Sequence, residues 1–303
     1  MIHQNLLDLA PPLTLIPTLA GARQAVDDVE YRPSRTAGAL ARRLVPDLAH
    51  LDSAEVWKLE PYRGSEFESL EVAPRPRASR GRILVNDDLP NTLRRELSRH
   101  GHEGLSISIG DRFEAYPTAE PRFAITRSIL RVLEETGGFE ICLTTRSPLV
   151  LRDQDLLQRL DVNHTVTVKV PIATLDKRLA SQLEPNAPDP ASRLDIVRSL
   201  ALDGIAVSVS CGPLLPGLNN STDELDPLFA AVRLAGAIDV VGDARLSNPK
   251  YRRRVAAWLE KHVPERAATV LGLLATHRGG DPLGTLERLR LTYGFPVLRA
   301  GRG

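Results

Sequence analysis

Three carboxylates gathered behind one short apolar run are the residues of this chain best suited to chemistry. Asp111, Glu114 and Glu120 follow Leu105–Ile109, and their spacing would let one take a proton while another orients a neighbour. The same residues suit a second role, because acidic groups at a strand-to-helix junction also cap the next helix or pair with Arg112 and Arg122. Cys142 and Cys211 are the two thiols in 303 residues. Both sit in apolar alternations, Ile141-Cys142-Leu143 and Val209-Ser210-Cys211, where thiols are commonly inert. Two thiols cannot build a disulfide framework, a four-cysteine zinc site or a three-cysteine iron–sulfur site within one chain. Glu66, Glu68 and Glu71 lack the alternating ligand order and central glycine of a calcium loop and read as a solvated acidic loop. His100 and His102 form a close pair that a helix C-terminus explains without metal. Arg252-Arg253-Arg254 would suit phosphate, yet 39 basic against 38 acidic residues leave a formal charge of +1. No whole-molecule field therefore draws nucleic acid or an anionic membrane, and the arginine run reads as surface.

Those residues need elements to hold them. Apolar β-type runs recur at Ile83–Val85, Leu105–Ile109, Phe139–Leu143, Thr165–Val170, Ile205–Val209 and Ala237–Val241. Amphipathic stretches separate them. Ile125, Ile129, Val132 and Leu133 mark one helical face within 119–135, with Arg127 and Arg131 on the surface side. Strands alternating with helices of this length predict parallel βαβ crossovers, whose strand carboxyl ends carry the sites. Residues 1–54 form an N-terminal segment, Pro-rich and then helical around Thr36–Leu44; 55–248 hold the strand–helix alternation; 249–303 read as a helical cap. Hydrophobic residues make up 42% and aromatic ones 4%, so the core is aliphatic and wholesale disorder is excluded. Three prolines break the apolar stretch Ala10–Pro17, no basic segment precedes it, and no run nears the roughly 20 apolar residues a membrane helix needs. With two free cysteines, a cytoplasmic protein is expected.

Between residues 60 and 220 the motifs resemble, in order and spacing, the radical S-adenosylmethionine (SAM) proteins related to spore photoproduct lyase, the DNA-repair-photolyase-like group. The family opening N-P-Y-R-G-C-x-x-x-C-x-x-C-Y corresponds to Glu60-Pro61-Tyr62-Arg63-Gly64-Ser65 through Ala73. Arg82–Asn86 and Leu93-Arg94-Arg95-Glu96-Leu97 are similar to the following strand and helix, and Gly110–Glu120 to the G-T-x-T-D-P-Y-Q-x-A-E segment. Thr145-Arg146-Ser147-Pro148-Leu149-Val150-Leu151-Arg152-Asp153 resembles T-K-S-x-L-x-x-R-D. Thr174-Leu175-Asp176, then Leu183–Pro190 with Arg193-Leu194, and finally Pro213–Asn219 complete the series.

The resemblance implies an α/β fold, a partial (β/α)6 TIM-type barrel with a C-terminal helical cap. In the family three thiolates hold a four-iron cluster on which SAM is cleaved to a radical. Position by position those ligands are here Ser65, Ser69 and Val72, and serine and valine are not thiolate donors. After Gly110 the chain reads Asp-Arg-Phe-Glu-Ala-Tyr-Pro where the family carries small hydroxyl and amide groups, so Arg112 and Phe113 would fill space that SAM's methionine end occupies. Tyr62, Arg63, Arg146, Glu184, Arg193 and Gly217 persist, and the resemblance assigns them to SAM or another nucleoside. The expected function is a cluster-less, catalytically retired relative that serves as a ligand-binding or regulatory scaffold, with an intact paralogue or a nucleoside as partner. The alternative is an enzyme using polar acid/base chemistry through Asp111, Glu114 and Glu120, with Arg146 as an anion clamp.

Overall fold

The computed structural model describes residues 30–33, 41–44, 55–64, 66–67, 82–99, 106–242, 249–276 and 280–296. Its strands, in chain order, are β1 (Glu30–Pro33), β2 (Ala41–Leu44), β3 (Glu55–Leu59), β4 (Tyr62–Arg63), β5 (Arg82–Val85), β6 (Ser106–Ile109), β7 (Glu140–Thr144), β8 (Thr165–Pro171), β9 (Ala206–Ser210) and β10 (Asp239–Val241). The helices are α1 (Leu89–Arg99), α2 (Glu120–Phe123), α3 (Ile125–Glu134), α4 (Gln154–Asp161), α5 (Lys177–Leu183), α6 (Pro190–Leu202), α7 (Thr222–Leu234), α8 (Pro249–His262), α9 (Pro264–Thr276) and α10 (Pro282–Thr292).

The main sheet runs β10-β9-β8-β7-β6-β3-β2, with parallel pairing throughout except for antiparallel β2 on the edge. A smaller sheet places β5 between parallel β1 and antiparallel β4. This is the partial-barrel strand set expected, with one substitution. The strand that opens the parallel series is β3, not the Ile83–Val85 run, which belongs to the smaller sheet. Trp57 and Leu59 explain the change, since their alternation gives β3 an apolar face that is buried. A second correction concerns Ala41–Leu44, the end of the stretch expected to be helical; it is a strand paired with β3, and residues 36–40 lie outside the described residues.

Alternation splits the main sheet into two chemically different faces. Trp57, Leu59, Ile107, Ile109, Ile141, Leu143 and the valines of β8 and β9 are buried in one continuous core with Ile129 and Leu133 of α3 and Ile196 and Leu200 of α6. The opposite face carries Lys58, Ser108, Cys142, Thr144, Thr167, Lys169, Ser208 and Ser210, small or polar residues that cannot form such a core.

The C-terminal helices divide between two cores. Tyr251, Val255 and Leu259 of α8, Val263 between the helices and Val270 of α9 pack with Leu179 and Leu183 of α5 and with Leu215 and Leu218, beside the strand carboxyl ends. Leu286 and Leu289 of α10 instead join the main core, where α10 packs on α7. Arg290, 1% exposed, fastens α10 to the edge strand: its Nη1 bonds the Val240 carbonyl and meets Asp239 Oδ1 at 2.7 Å, and its Nη2 bonds the Pro296 carbonyl. Removing the Arg290 side chain takes a buried donor from two carbonyls and from the partly exposed Asp239. Arg290→Ala is expected to lower the unfolding free energy by about 3 kcal/mol and to release α10 first in hydrogen exchange. Wild-type stability in that variant would contradict the anchoring role.

Candidate functional site at the carboxyl rim

The segments that follow β3, β6, β7, β8 and β9 meet on one rim of the sheet, and backbone bonds stitch them together in order. Gly110 N donates to Leu59 O, Thr145 N to Lys169 O, Ile172 N to Ser210 O and Cys211 N to Val241 O. Gly110 has a φ of 76°, and a Cβ there would lie 2.7 Å from the Thr144 carbonyl, so only glycine lets the chain turn out of β6. That turn delivers the three expected carboxylates to three different environments.

Asp111 is exposed and pairs with Lys58 at 2.5 Å. Glu114 is buried and fully engaged: it accepts from Tyr116 N at 3.0 Å, Arg146 N at 3.0 Å and the Thr145 hydroxyl, tying the loop after β6 to the loop after β7. Glu120 has no exposed surface. Ala124, at φ 50°, breaks the chain between α2 and α3 and offers α3 no side-chain cap. Glu120 supplies it from the previous turn, accepting from Thr126 N at 3.0 Å and Arg127 N at 3.1 Å, and also from Arg152 Nη2 at 2.8 Å and the Tyr62 hydroxyl. The Tyr62 oxygen in turn accepts from Ile125 N at 3.3 Å. Both oxygens of Glu114 and of Glu120 thus hold backbone and side chains in place, which makes these two residues positioning groups.

The same network continues through Asp153, also fully enclosed, which accepts from Tyr116 Oη at 3.1 Å, from Arg152 and from Arg127. Arg127, expected on the surface, is therefore drawn inward by a buried carboxylate. Burial, together with the charge and hydrogen bond of Glu120, pushes the Tyr62 phenol far above its ordinary range, and burial with Asp153 does the same to Tyr116. Both tyrosines stay neutral donors.

Of the residues assigned to a nucleoside, the structure brings three together. Glu184 Oε1 meets Arg146 Nε at 2.5 Å and its Oε2 bonds Arg193 Nη1; Arg193 also holds Pro188 O at 2.7 Å and Pro171 O at 2.8 Å. Burial would raise the Glu184 pKa, but the two guanidinium charges outweigh it and hold the carboxyl below its usual value. The triad carries a net positive charge at the rim. Tyr62 is turned into the interior by Glu120, and Arg63 is exposed on β4. Gly217 lies apart from the triad, lining a cavity of about 360 Å³ with Asn220, Ser221, Leu273 and Asp281. Its loop is fixed by Asn219, which accepts from Leu215 N and donates to Ala173 O and Pro213 O, with Leu215 and Leu218 buried against α8 and α9. Ser65, Ser69 and Val72 lie outside the described residues.

Two rim residues carry chemistry that the motifs did not single out. Glu60, just past β3, accepts from Arg112 N at 2.9 Å and Phe113 N at 3.2 Å. Burial, opposed by those two N–H groups and assisted by the charge of Asp111, raises its pKa to about 7. The second is Lys169, set in the middle of β8. An ammonium inside an otherwise β-branched run was the available signal for Lys169; for Glu60 it was a carboxylate standing where the resembled motif has asparagine.

No family model matches the sequence. An uncharacterized protein of Mycobacterium tuberculosis is 27% identical over 183 residues, 60% of this chain, and one of Methanocaldococcus jannaschii is 28% identical over 136 residues, 45% of this chain. These alignments cover 54% and 49% of the two relatives, so the chain spans about half the length of the curated relatives it matches. Among solved structures, a double mutant of spore photoproduct lyase with bound AdoMet and dinucleoside spore photoproduct aligns with a TM-score of 0.53 at 15% identity, over 84% of this chain and 72% of that one. Spore photoproduct lyase complexed with dinucleoside spore photoproduct gives a TM-score of 0.53 at 14% identity, over 82% and 70%. The chain has the radical-SAM-like fold. No described helix is long and apolar enough to cross a membrane.

Because the pKa of Glu60 is raised in the folded state, that state binds more protons than the unfolded chain between about pH 4.5 and 7. Stability is therefore expected to fall as pH rises through this window, and Glu60→Gln is expected to flatten that part of a melting-temperature profile. A variant profile parallel to that of the wild type would refute the assignment.

Proposed function

We propose that this chain is a cluster-less radical-SAM-like barrel, retired from radical chemistry and kept as a ligand-binding scaffold, with SAM or a related nucleoside as the class of ligand. The observation that carries the reading is the donor set. The chain has two cysteines. Cys142 is in the middle of β7, and Cys211, fully buried beyond β9, spends its thiol on Val241 O at 3.3 Å. Ser65, Ser69 and Val72 stand where the resembled motif places thiolates. Among the described residues, no group of three or more histidine, cysteine or acidic side chains is arranged to hold a metal ion. Hydroxyl and isopropyl groups do not fit soft iron, so these positions do not suit an iron–sulfur cluster.

The barrel and its rim support the binding part of the reading. The Arg146–Glu184–Arg193 triad carries a fixed positive charge suited to the free carboxylate of a nucleoside that bears an amino acid, as SAM does. Calorimetric titration with SAM and with S-adenosylhomocysteine is expected to give saturable binding that Arg146→Gln weakens about tenfold or more. Absence of binding by both nucleosides would remove the nucleoside from the proposal.

A second reading, polar acid/base chemistry at the rim, is favoured by one observation, the near-neutral Glu60 beside Asp111. In this reading Glu60, near neutrality, and the exposed Asp111 are the proton-transfer groups, although Glu60 also accepts two backbone N–H groups and Asp111 pairs with Lys58. Such an activity would show a pH profile with an inflection near 7 that Glu60→Gln abolishes.

A further inference from the structure

The polar face of the sheet holds an arrangement that neither the rim nor the core uses. Register places Thr144 of β7, Lys169 of β8, Ser208 of β9 and Asp239 of β10 in one row across neighbouring strands. The row begins at Thr144, the last residue of β7. It stands two residues before Pro171 and Ser210, the last residues of β8 and β9. Val168 and Val170 point to the buried core, so Lys169, half-buried between them, belongs to the opposite face.

Central strands of parallel sheets ordinarily read as apolar runs, and an ammonium drawn partly out of water is costly unless an acceptor meets it. Among the described residues the Lys169 ammonium has no hydrogen bond and no ion pair, and the hydroxyls of Thr144 and Ser208 likewise have no protein partner. The nearest carboxylate in the row, Asp239, is occupied by Arg290 at 2.7 Å and by Val240 N at 2.8 Å. Glu114 and Glu184 at the rim are committed as well. An ammonium flanked in register by two hydroxyls offers three donor groups in one row of the sheet, and these suit the oxygens of an anion.

We infer that the polar face of the sheet binds an anionic group, a phosphate or a carboxylate, held by Lys169 Nζ and the hydroxyls of Thr144 and Ser208. This inference rests on the reading of the barrel as a ligand-holding scaffold and adds the charge its ligand must carry below the rim. SAM carries one carboxylate, which the arginine triad takes, so a ligand that also reaches Lys169 is a related nucleoside with a second anionic group.

With five lysines in the chain, the site can be read directly. The full-length protein is acetylated with a succinimidyl ester, and the rate at each lysine is followed by peptide mass spectrometry, with inorganic phosphate, with malonate and with neither. The exposed Lys177 serves as the internal reference. At about ten times the dissociation constant, an anion is expected to slow Lys169 roughly tenfold while Lys177 keeps its rate. Thr144→Val and Ser208→Ala are expected to reduce that protection with an unchanged circular dichroism spectrum. Protection by phosphate alone identifies a phosphoryl ligand, and protection by malonate alone a carboxylate. Equal rates with and without both anions, or no acetylation of Lys169 under any condition, would overturn the inference. Protection without nucleoside binding would sink only the nucleoside reading, whereas nucleoside binding without protection would sink only this one.

Discussion

The rim of this sheet depends on one buried carboxylate. Glu120 closes the N-terminus of α3 in place of Ala124, whose methyl side chain has no acceptor to cap it, and gathers Tyr62 and Arg152 onto the same two oxygens. Arg152 and Arg127 carry the network to Asp153, and Tyr116 closes it from the loop after β6. Glu120 and Asp153 are enclosed while Arg127 and Arg152 meet them from partly exposed positions, so the residues form a unit whose loss is not divisible. The loops after β3, β6 and β7 are consequently fixed before any ligand arrives.

On that fixed rim the charges are arranged in pairs and triads. Lys58 answers Asp111, and Arg146 and Arg193 share Glu184. Glu114 and Glu60 are held instead by backbone N–H groups, and burial raises Glu60 toward neutrality. Below the rim, the polar face carries an ammonium with no partner among the described residues. A scaffold that had drifted without use would be expected to fill or neutralise such a face, because uncompensated polar groups weaken the fold.

Sequence periodicity was enough to locate most of the barrel. The strands from β6 to β10 and the apolar face of α3 follow from alternation and from 3.6-residue spacing, which depend on local neighbours alone. β3 was less visible, because Trp57 and Leu59 mark a strand only once its partner β6 is known. The split of the C-terminal helices was also hidden, since apolar spacing shows that α10 has a buried face but not which core receives it. For the site, Arg146, Glu184 and Arg193 were reached through collinear motifs and proved to be neighbours. The roles of Glu114 and Glu120 were not legible. A carboxylate near a helix start reads equally as acid, base or cap, and the deciding fact is the backbone angle at Ala124. Gly217 and Tyr62 show the same limit, as the motif order that named them does not fix which way they face.

The central claim is that the radical-SAM-like barrel persists here without the donors for its metal cluster. It is tested most directly by purifying the protein without oxygen, reconstituting it with iron and sulfide, and measuring bound iron, bound sulfide and the electron paramagnetic resonance spectrum after reduction. The account predicts that neither element is retained in stoichiometric amount and that the reduced sample shows no cluster signal. A stoichiometric iron–sulfur cluster with its characteristic spectrum would contradict it, and would mean that ligands other than two cysteines of one chain hold the iron.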